Sequence, residues 1–538
     1  MNVENRLSRL ARLASADKSK RFDRLFRELT KTDLLMHAYE QIKDNKGSKT
    51  PGIDGLTKFS WNEECAIKLA EELRSGKYEP APVRRVLIDK KNKPGQKRPL
   101  GIPTFGDRVV QCALKLLLEA LYEPIFMECS HGFRPHRACQ TAAWQVYDSP
   151  HVRIDWVVEG DIKGCFDNIC HQKLLKILQR RIKDDRILKL IAQFLKAGYF
   201  DRERWNPTKA GTPQGGIISP LLANIYLHEL DKYVQEEFGA NQEPKQLPGE
   251  RSARISKEWN KAKNQIYRLR KILKGQCKSP MTRAEVEKEL QSLLKFRATL
   301  PCTTEPIKSR IAYVRYADDF VILLRNLPKS EAERIKAKLT EWVGGELALV
   351  LSPDKTAITH IKDGFTFLGY KFMAKNIESA QPKVKMMIPH ESAQAKLRDI
   401  KNVCQKLNTP ETEIIQKLNN MLRGWMIYYR CVNAPSRVMS SVLSHTWWIY
   451  AEYVSRKNGC NIAQAAKRWI GRCPASTLNH NGGQKSWYAE RANEKGEMVR
   501  EYLLCVPVPK RNLRDVASKI RNGAQTPLEA KETSNAGY

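Results

Sequence analysis

Two adjacent aspartates, Asp318 and Asp319, join two runs of strand-forming residues, IAYVRY and FVILL. β-branched and aromatic residues on both sides of so short a connection predict an antiparallel hairpin with the acids at its tip. Neighbouring carboxylates repel, by roughly a few kcal/mol once they are dehydrated. A structural role makes poor use of them, whereas a divalent cation offsets the repulsion. A pair of aspartates in a turn is common; flanking strands and the preceding Tyr316 and Ala317 make this one specific.

A partner acid lies upstream. WVVEGDIKGCFDNI reads as a strand running into Asp161, followed by Gly164 and Phe166 before a helix that starts near His171. Taken alone, Asp161 reads as a solvated strand-end acid. Beside the hairpin, it completes a set of three carboxylates suited to two Mg²⁺ ions roughly 4 Å apart, the arrangement of two-metal phosphoryl transfer. A third segment, GTPQGGIISPLLANIYLHELD, has Gly211, Gly215 and Gly216 for close backbone approach and Gln214 as an amide for a nucleotide or template base. Its helix supplies Leu221, Leu222, Ile225, Leu227 and Leu230 to a core.

Charge agrees with a polyanionic partner. The 538 residues include 93 basic against 59 acidic, a formal +34, and nucleic acid is the commonest target of such an excess. A 41% hydrophobic content excludes a disordered chain, and the length suits three or four domains. Thirteen cysteines without one CxxC pair predict neither a disulfide framework nor a zinc site. No run approaches the roughly 20 apolar residues of a membrane span. MNVENRLSRLARLASADKSK lacks the apolar core of a secretory signal, so the expectation is a cytoplasmic protein without membrane contact, an organelle being the alternative.

Along the chain, residues 1–45 read as a helical extension with Leu7, Leu10 and Leu13, then Leu25, Phe26 and Leu29, on one face. KGSKTPGIDGLT is a loop. Between 239 and 308 stand 16 Lys/Arg against 7 Asp/Glu, and Leu269, Ile272 and Leu273 followed by Leu290, Leu293 and Leu294 predict an inserted helical hairpin. It is either a solvated insertion or an RNA-binding one. Residues 391–455 read as helical, and 456–538 as basic and Gly/Asn-punctuated.

In this order, PGIDG, KRPLGIPTFGDRVVQ, HGFRPHRACQTA, the Asp161 strand, PQGGIISPLLANIYL, YVRYADDF, LSPDKT and FLGYKF resemble the reverse transcriptases encoded by group II introns. The resemblance implies an α+β right-hand polymerase with fingers (46–155), a palm built on an antiparallel sheet (156–390, with the basic insertion at 239–308), a helical thumb or maturase domain (391–455) and a basic C-terminal segment (456–538). It implies that Asp161, Asp318 and Asp319 bind the metal ions, Mg²⁺ with Mn²⁺ as a substitute. It makes Phe166 the steric gate against a ribose 2′-hydroxyl. Lys97 and Arg98 become triphosphate contacts, Gln214 part of the nucleotide pocket, and Lys355 a proton donor to pyrophosphate. Phe367, Leu368 and Gly369 become the primer grip.

In the thumb, IIQKLNNMLRGWMIYYR places Ile414, Leu418, Met421, Trp425 and Tyr428 on one face, expected to be core, and leaves Arg423, Tyr429 and Arg430 to meet RNA. Many relatives end in a DNA endonuclease with paired cysteines; here Cys460, Cys473 and Cys505 are far apart and His480 is solitary, so the C-terminal segment is expected to bind DNA or RNA without nuclease activity. The implied partners are group II intron RNA, target DNA, an RNA template with its DNA primer, and dNTPs. A domesticated reverse transcriptase acting in DNA repair or antiviral defence, a non-catalytic splicing maturase and an RNA-dependent RNA polymerase are the competing readings. The intact acids speak against the non-catalytic one, and Phe166 against the RNA polymerase.

Overall fold

The computed structural model describes residues 2–89, 95, 97–148, 154–201, 204–206, 210–211, 215–241, 256–276, 280–300, 309–375, 383–474, 482–493, 496–507 and 511. They form an α+β fold that divides into two compact units, one of residues 1–135, 158–243 and 310–358, the other of 136–157, 244–309 and 359–538.

The first unit is organised around two helices buried nearly all round. Phe105–Tyr122 starts on Thr104, whose hydroxyl accepts from the Asp107 amide (3.1 Å), and buries Val109, Val110, Ala113, Leu114, Leu117, Leu118 and Leu121. Ser219–Phe238 has Pro220 in its first turn and buries Leu221, Leu222, Ile225, Leu227 and Leu230, as expected, together with the polar Asn224 and Asp231. Two sheets flank this core. One runs in the order Lys97–Ile102, Val83–Asp89, Tyr199–Asp201, Arg204–Asn206. The other sets Arg310–Tyr316 against Asp319–Arg325, and the latter beside Trp156–Asp161.

The N-terminal stripe is not continuous. The first helix stops at Ala16, where the Asp17 carboxylate accepts from the Ser19 amide (2.8 Å) and turns the chain; Leu25–Leu29 and Thr32–Ile42 are separate helices. Leu13 is exposed and Ala14 buried, because the packed face is set by a neighbouring helix and not by the longest apolar stripe.

In the second unit a three-stranded antiparallel sheet, Phe365–Phe367, Tyr370–Lys375 and Lys383–Met387, is followed by helices His390–Cys404, Glu411–Tyr429, Pro435–Lys457 and Ile462–Trp469. The inserted hairpin is present as Lys257–Leu273 and Arg283–Thr299, the second opened by a Thr282/Glu285 capping box. The described residues of the C-terminal segment add regular structure. Ile470–Arg472, Lys485–Ala492 and Met498–Tyr502 form a sheet with Trp487 fully buried against Trp447 (centroids 5.3 Å apart). Asn419 of the thumb ties it down, donating to the Tyr502 carbonyl and accepting from the Leu504 amide, both at 2.8 Å.

Candidate active site

The acid-bearing hairpin has the tightest possible register. Tyr316 pairs with Asp319, leaving Ala317 and Asp318 as a two-residue loop. Ala317 takes a positive φ of 56°, a conformation that glycine adopts freely and alanine only with strain. Gly160 leaves room for the neighbouring hairpin strand: a Cβ there would lie 2.1 Å from the tip of the Phe320 ring, so only glycine lets the end of that ring reach the Asp161 strand.

Asp161 ends its strand, and the LSPDK segment is laid beside it. The Ser352 amide donates to the Asp161 carbonyl (2.7 Å) and the Lys163 amide to the Val350 carbonyl (2.9 Å). A turn closed by the Lys355 amide on the Ser352 carbonyl (3.2 Å) then brings Lys355 Nζ to 2.9 Å from Asp161 Oδ2. Asp161, Asp318, Asp319 and Lys355 thus form one electrostatic cluster.

Burial, with the charge of Asp161 adding to it, raises the Asp318 carboxyl above its ordinary range. Asp319 opens onto solvent on one side, yet the surrounding protein, a hydrogen bond shared with Asp161 and the charge of Asp318 push it up to about 7. The Asp161 carboxylate, as hydrogen-bond partner, keeps the Lys355 ammonium protonated beyond its usual range. Clustered carboxylates of this kind suit hard divalent cations, which prefer oxygen ligands.

Phe166 lies half-buried on the short helix Cys165–Asn168, five residues past Asp161, and stands edge-to-face with Phe133 at 6.0 Å. Phe133 was not singled out from the sequence, although it sits in HGFRPHRACQTA; its positive φ of 57° is rare for a bulky residue. Gly211 (φ 87°) passes so close to Asp167 that a Cβ would fall 2.6 Å from that backbone, and its carbonyl meets His171 Nε2 at 2.6 Å. A Cβ on Gly215 would likewise fall 2.2 Å from the Gly101 carbonyl oxygen. Gln214 lies outside the described residues. Lys97 and Arg98 are exposed at the start of their strand, Arg98 opposite Ile88.

In the second unit, Phe367 is buried, Leu368 half-buried and Gly369 exposed in a tight turn, with Leu368 and Gly369 both at positive φ. Here the structure corrects two expectations. Tyr429 is buried (5% exposed), its hydroxyl donating to the Gly369 carbonyl at 3.0 Å, so its ring is not available to an RNA base. The core face of the thumb helix runs through Ile414, Leu418, Leu422, Trp425 and Tyr429, while Met421 and Tyr428 are only half-buried. The packed stripe is rotated by about one position because the turn at Leu368 and Gly369 fills the space against it. Arg423 and Arg430 are half-buried.

Comparison with known proteins adds an independent line. Residues 88–250 match the family model for reverse transcriptase (RNA-dependent DNA polymerase), and residues 391–469 the group II intron maturase-specific domain. The group II intron-encoded protein LtrA of Lactococcus lactis subsp. cremoris is 38% identical over 454 residues, covering 79% of this chain and 73% of that protein. Protein YkfC of Escherichia coli (strain K12) is 35% identical over 400 residues, 73% of this chain and 94% of that one. A putative COX1/OXI3 intron 2 protein of Saccharomyces cerevisiae is 31% identical over 350 residues, 64% of this chain but 38% of its own length. Among the described residues, no helix is long and apolar enough to cross a membrane.

Proposed function

The chain belongs to the family of group II intron-encoded reverse transcriptases, and we propose that Asp161, Asp318, Asp319 and Lys355 carry its chemistry. It is an RNA-directed DNA polymerase whose maturase domain binds intron RNA. Its fold is that of right-hand polymerases, in which we assign residues 46–155 to the fingers, 156–390 to the palm and 391–455 to the thumb. We read its biological task as assisting the splicing of its intron and copying RNA into cDNA during intron mobility at a DNA target.

The observation that carries the mechanism is the clustering of Asp318 and Asp319 with Asp161, whose Oδ2 lies 2.9 Å from Lys355 Nζ. The reaction joins the primer 3′-oxygen to the α-phosphorus of a dNTP and breaks the bond to the β-phosphate, releasing pyrophosphate. Asp161, Asp318 and Asp319 would hold two Mg²⁺ ions, which supply Lewis acidity at the hydroxyl and at the phosphates. The carboxylates orient the reacting groups, and most of phosphoryl-transfer catalysis is such positioning and charge stabilisation. Lys355, kept protonated by Asp161, is placed to give a proton to the departing pyrophosphate. Lys97 and Arg98 offer cations to the triphosphate. Phe166 blocks a ribose 2′-hydroxyl, with Phe133 bracing its ring. Gln214 completes the nucleotide pocket, Phe367, Leu368 and Gly369 steady the primer end, and Arg423 and Arg430 are offered to RNA phosphates.

Primer extension on an RNA template tests this reading. Mg²⁺-dependent dNTP incorporation by the wild type is expected, abolished by Asp318→Ala, with NTPs admitted by Phe166→Ala. Extension that survives Asp318→Ala would overturn the assignment of the acids.

A further inference from the structure

Arg315, two residues before the loop Ala317–Asp318 begins, is completely buried, as is its counter-ion Asp231. All five guanidinium N–H donors are used. Nε donates to Asp231 Oδ1 and Nη2 to Asp231 Oδ2, each at 2.6 Å; Nη2 also donates to Ser130 Oγ at 2.8 Å. Nη1 donates to Asn224 Oδ1 at 3.1 Å and to the carbonyl of Ala317 at 2.9 Å. That last acceptor belongs to the peptide that carries the Asp318 amide, at the strained residue of the loop.

The surrounding contacts serve the same turn. Asn224 Nδ2 donates to the Gly132 carbonyl (2.6 Å), and Gly132 packs so tightly that a Cβ would stand 2.4 Å from the Ala317 nitrogen. The Arg315 backbone is pinned on both sides, its amide donating to the Cys129 carbonyl (2.8 Å) and its carbonyl accepting from the His131 amide (2.9 Å). Tyr313 adds a hydroxyl donor to Asp231 at 3.1 Å. SHGFRPH, PLLANIYLHELD and YVRYADD, which are distant in sequence, therefore meet at one guanidinium.

Stability is a poor explanation for this arrangement. The dehydration of two buried charges commonly cancels their attraction, and apolar replacements of such pairs are often as stable or more so. What an apolar pair cannot do is hold a carbonyl. We propose that Arg315 is a positioning residue for nucleotidyl transfer: neutralised by Asp231, it grips the Ala317 carbonyl and fixes the turn that carries Asp318 and leads directly into Asp319. This rests on the catalytic reading of those two acids. Arg315 does not touch substrate; it acts through the turn.

The test compares wild type, Arg315→Lys, the charge-free double variant Arg315→Met/Asp231→Leu, and Asp318→Ala. Each is assayed for Tm, Kd for an RNA–DNA primer–template, kcat of primer extension, and the rise in Tm caused by Mg²⁺. The double variant is expected to recover the wild-type Tm within a few degrees and to bind primer–template normally. Its kcat should fall about 100-fold, the scale of a roughly 1 Å misplacement of reacting groups, and its Mg²⁺-induced rise in Tm should shrink. Arg315→Lys keeps the charge beside Asp231 but lacks the geometry to reach all five acceptors, so the same split between folding and kcat is expected. Either variant, folded and with wild-type kcat, overturns the proposal. An active Asp318→Ala instead removes the catalytic reading on which it rests, whatever Arg315 does.

Discussion

The Tyr429 hydroxyl donates to the carbonyl of Gly369, 60 residues upstream in the chain. Beside it, the Tyr428 hydroxyl donates to the Leu368 carbonyl at 2.6 Å, and Tyr370 returns a bond to the Tyr428 carbonyl at 2.7 Å. Trp425 Nε1 donates to Ser392 Oγ (3.2 Å), which in turn lies 2.9 Å from the Tyr429 hydroxyl. The thumb helix thereby clasps a turn in which a leucine stands at positive φ, a conformation that costs roughly 1–2 kcal/mol outside glycine.

Removing the clasp is therefore expected to loosen the turn. Tyr428→Phe and Tyr429→Phe should each cost about 1 kcal/mol, the net worth of a hydrogen bond, and together about twice that, with weaker extension and unchanged RNA affinity. Thermal unfolding and filter binding on the same preparations check both halves; a Tyr429→Phe variant that loses RNA affinity without losing stability would restore an RNA-contacting role for that ring.

Lys355 predicts a pH effect. Its partner Asp161 raises its pKa, so it remains protonated through neutrality and up to beyond the ordinary lysine range. As the proton donor to pyrophosphate, its loss in Lys355→Gln should lower kcat by about 10²- to 10⁴-fold, and the alkaline decline of the wild-type kcat profile should disappear. A profile of unchanged shape in the variant would make Lys355 a plain counter-ion.

Asp231 predicts acid sensitivity. Burial alone would raise its carboxyl, but the charge and hydrogen bonds of Arg315 outweigh that and hold it well below the usual carboxylate range. A depressed folded-state pKa means that the stabilisation is present above the unfolded value, about 3.9, and is lost as pH falls below it. Asp231→Asn, which leaves a buried guanidinium without its anion, should cost about 3–5 kcal/mol at neutral pH. Denaturant titrations should show that deficit shrinking as pH drops from about 5 towards 2; a pH-independent deficit would exclude the ion pair as its source.

Gly160 predicts a compensating pair. Gly160→Ala puts a methyl into the Phe320 ring and is expected to destabilise by about 1–3 kcal/mol, the usual penalty of overpacking. Phe320→Leu should relieve part of it, and calorimetry of the two single variants and the double reads the coupling directly. Strictly additive effects would contradict the contact.

Phe133 predicts a change in sugar selection. An edge-to-face aromatic pair contributes about 0.5–1.5 kcal/mol, so Phe133→Ala should relax discrimination between dNTPs and NTPs by up to about tenfold, less than Phe166→Ala does. Competition of dCTP against CTP in primer extension measures it. Unchanged discrimination would leave Phe166 held by its own helix alone.

The sequence by itself determined the parts whose physics is local. Runs of β-branched and aromatic residues on both sides of Asp318 and Asp319 dictate a hairpin, a glycine-rich loop before a proline and leucines dictates a turn into a buried helix, and the order of these motifs identifies the family. Only the tertiary structure decided what those residues face. Lys355 meets Asp161 across 194 positions, Arg315 meets Asp231 across 84, and Leu504 finds Asn419 across 85. Periodicity marks which side of an element is apolar, but not which neighbour arrives there. That is why the thumb's packed stripe was legible only to within about one position, why Tyr429 turned from a surface ring into a clasp, and why a basic C-terminal segment became a sheet around Trp487.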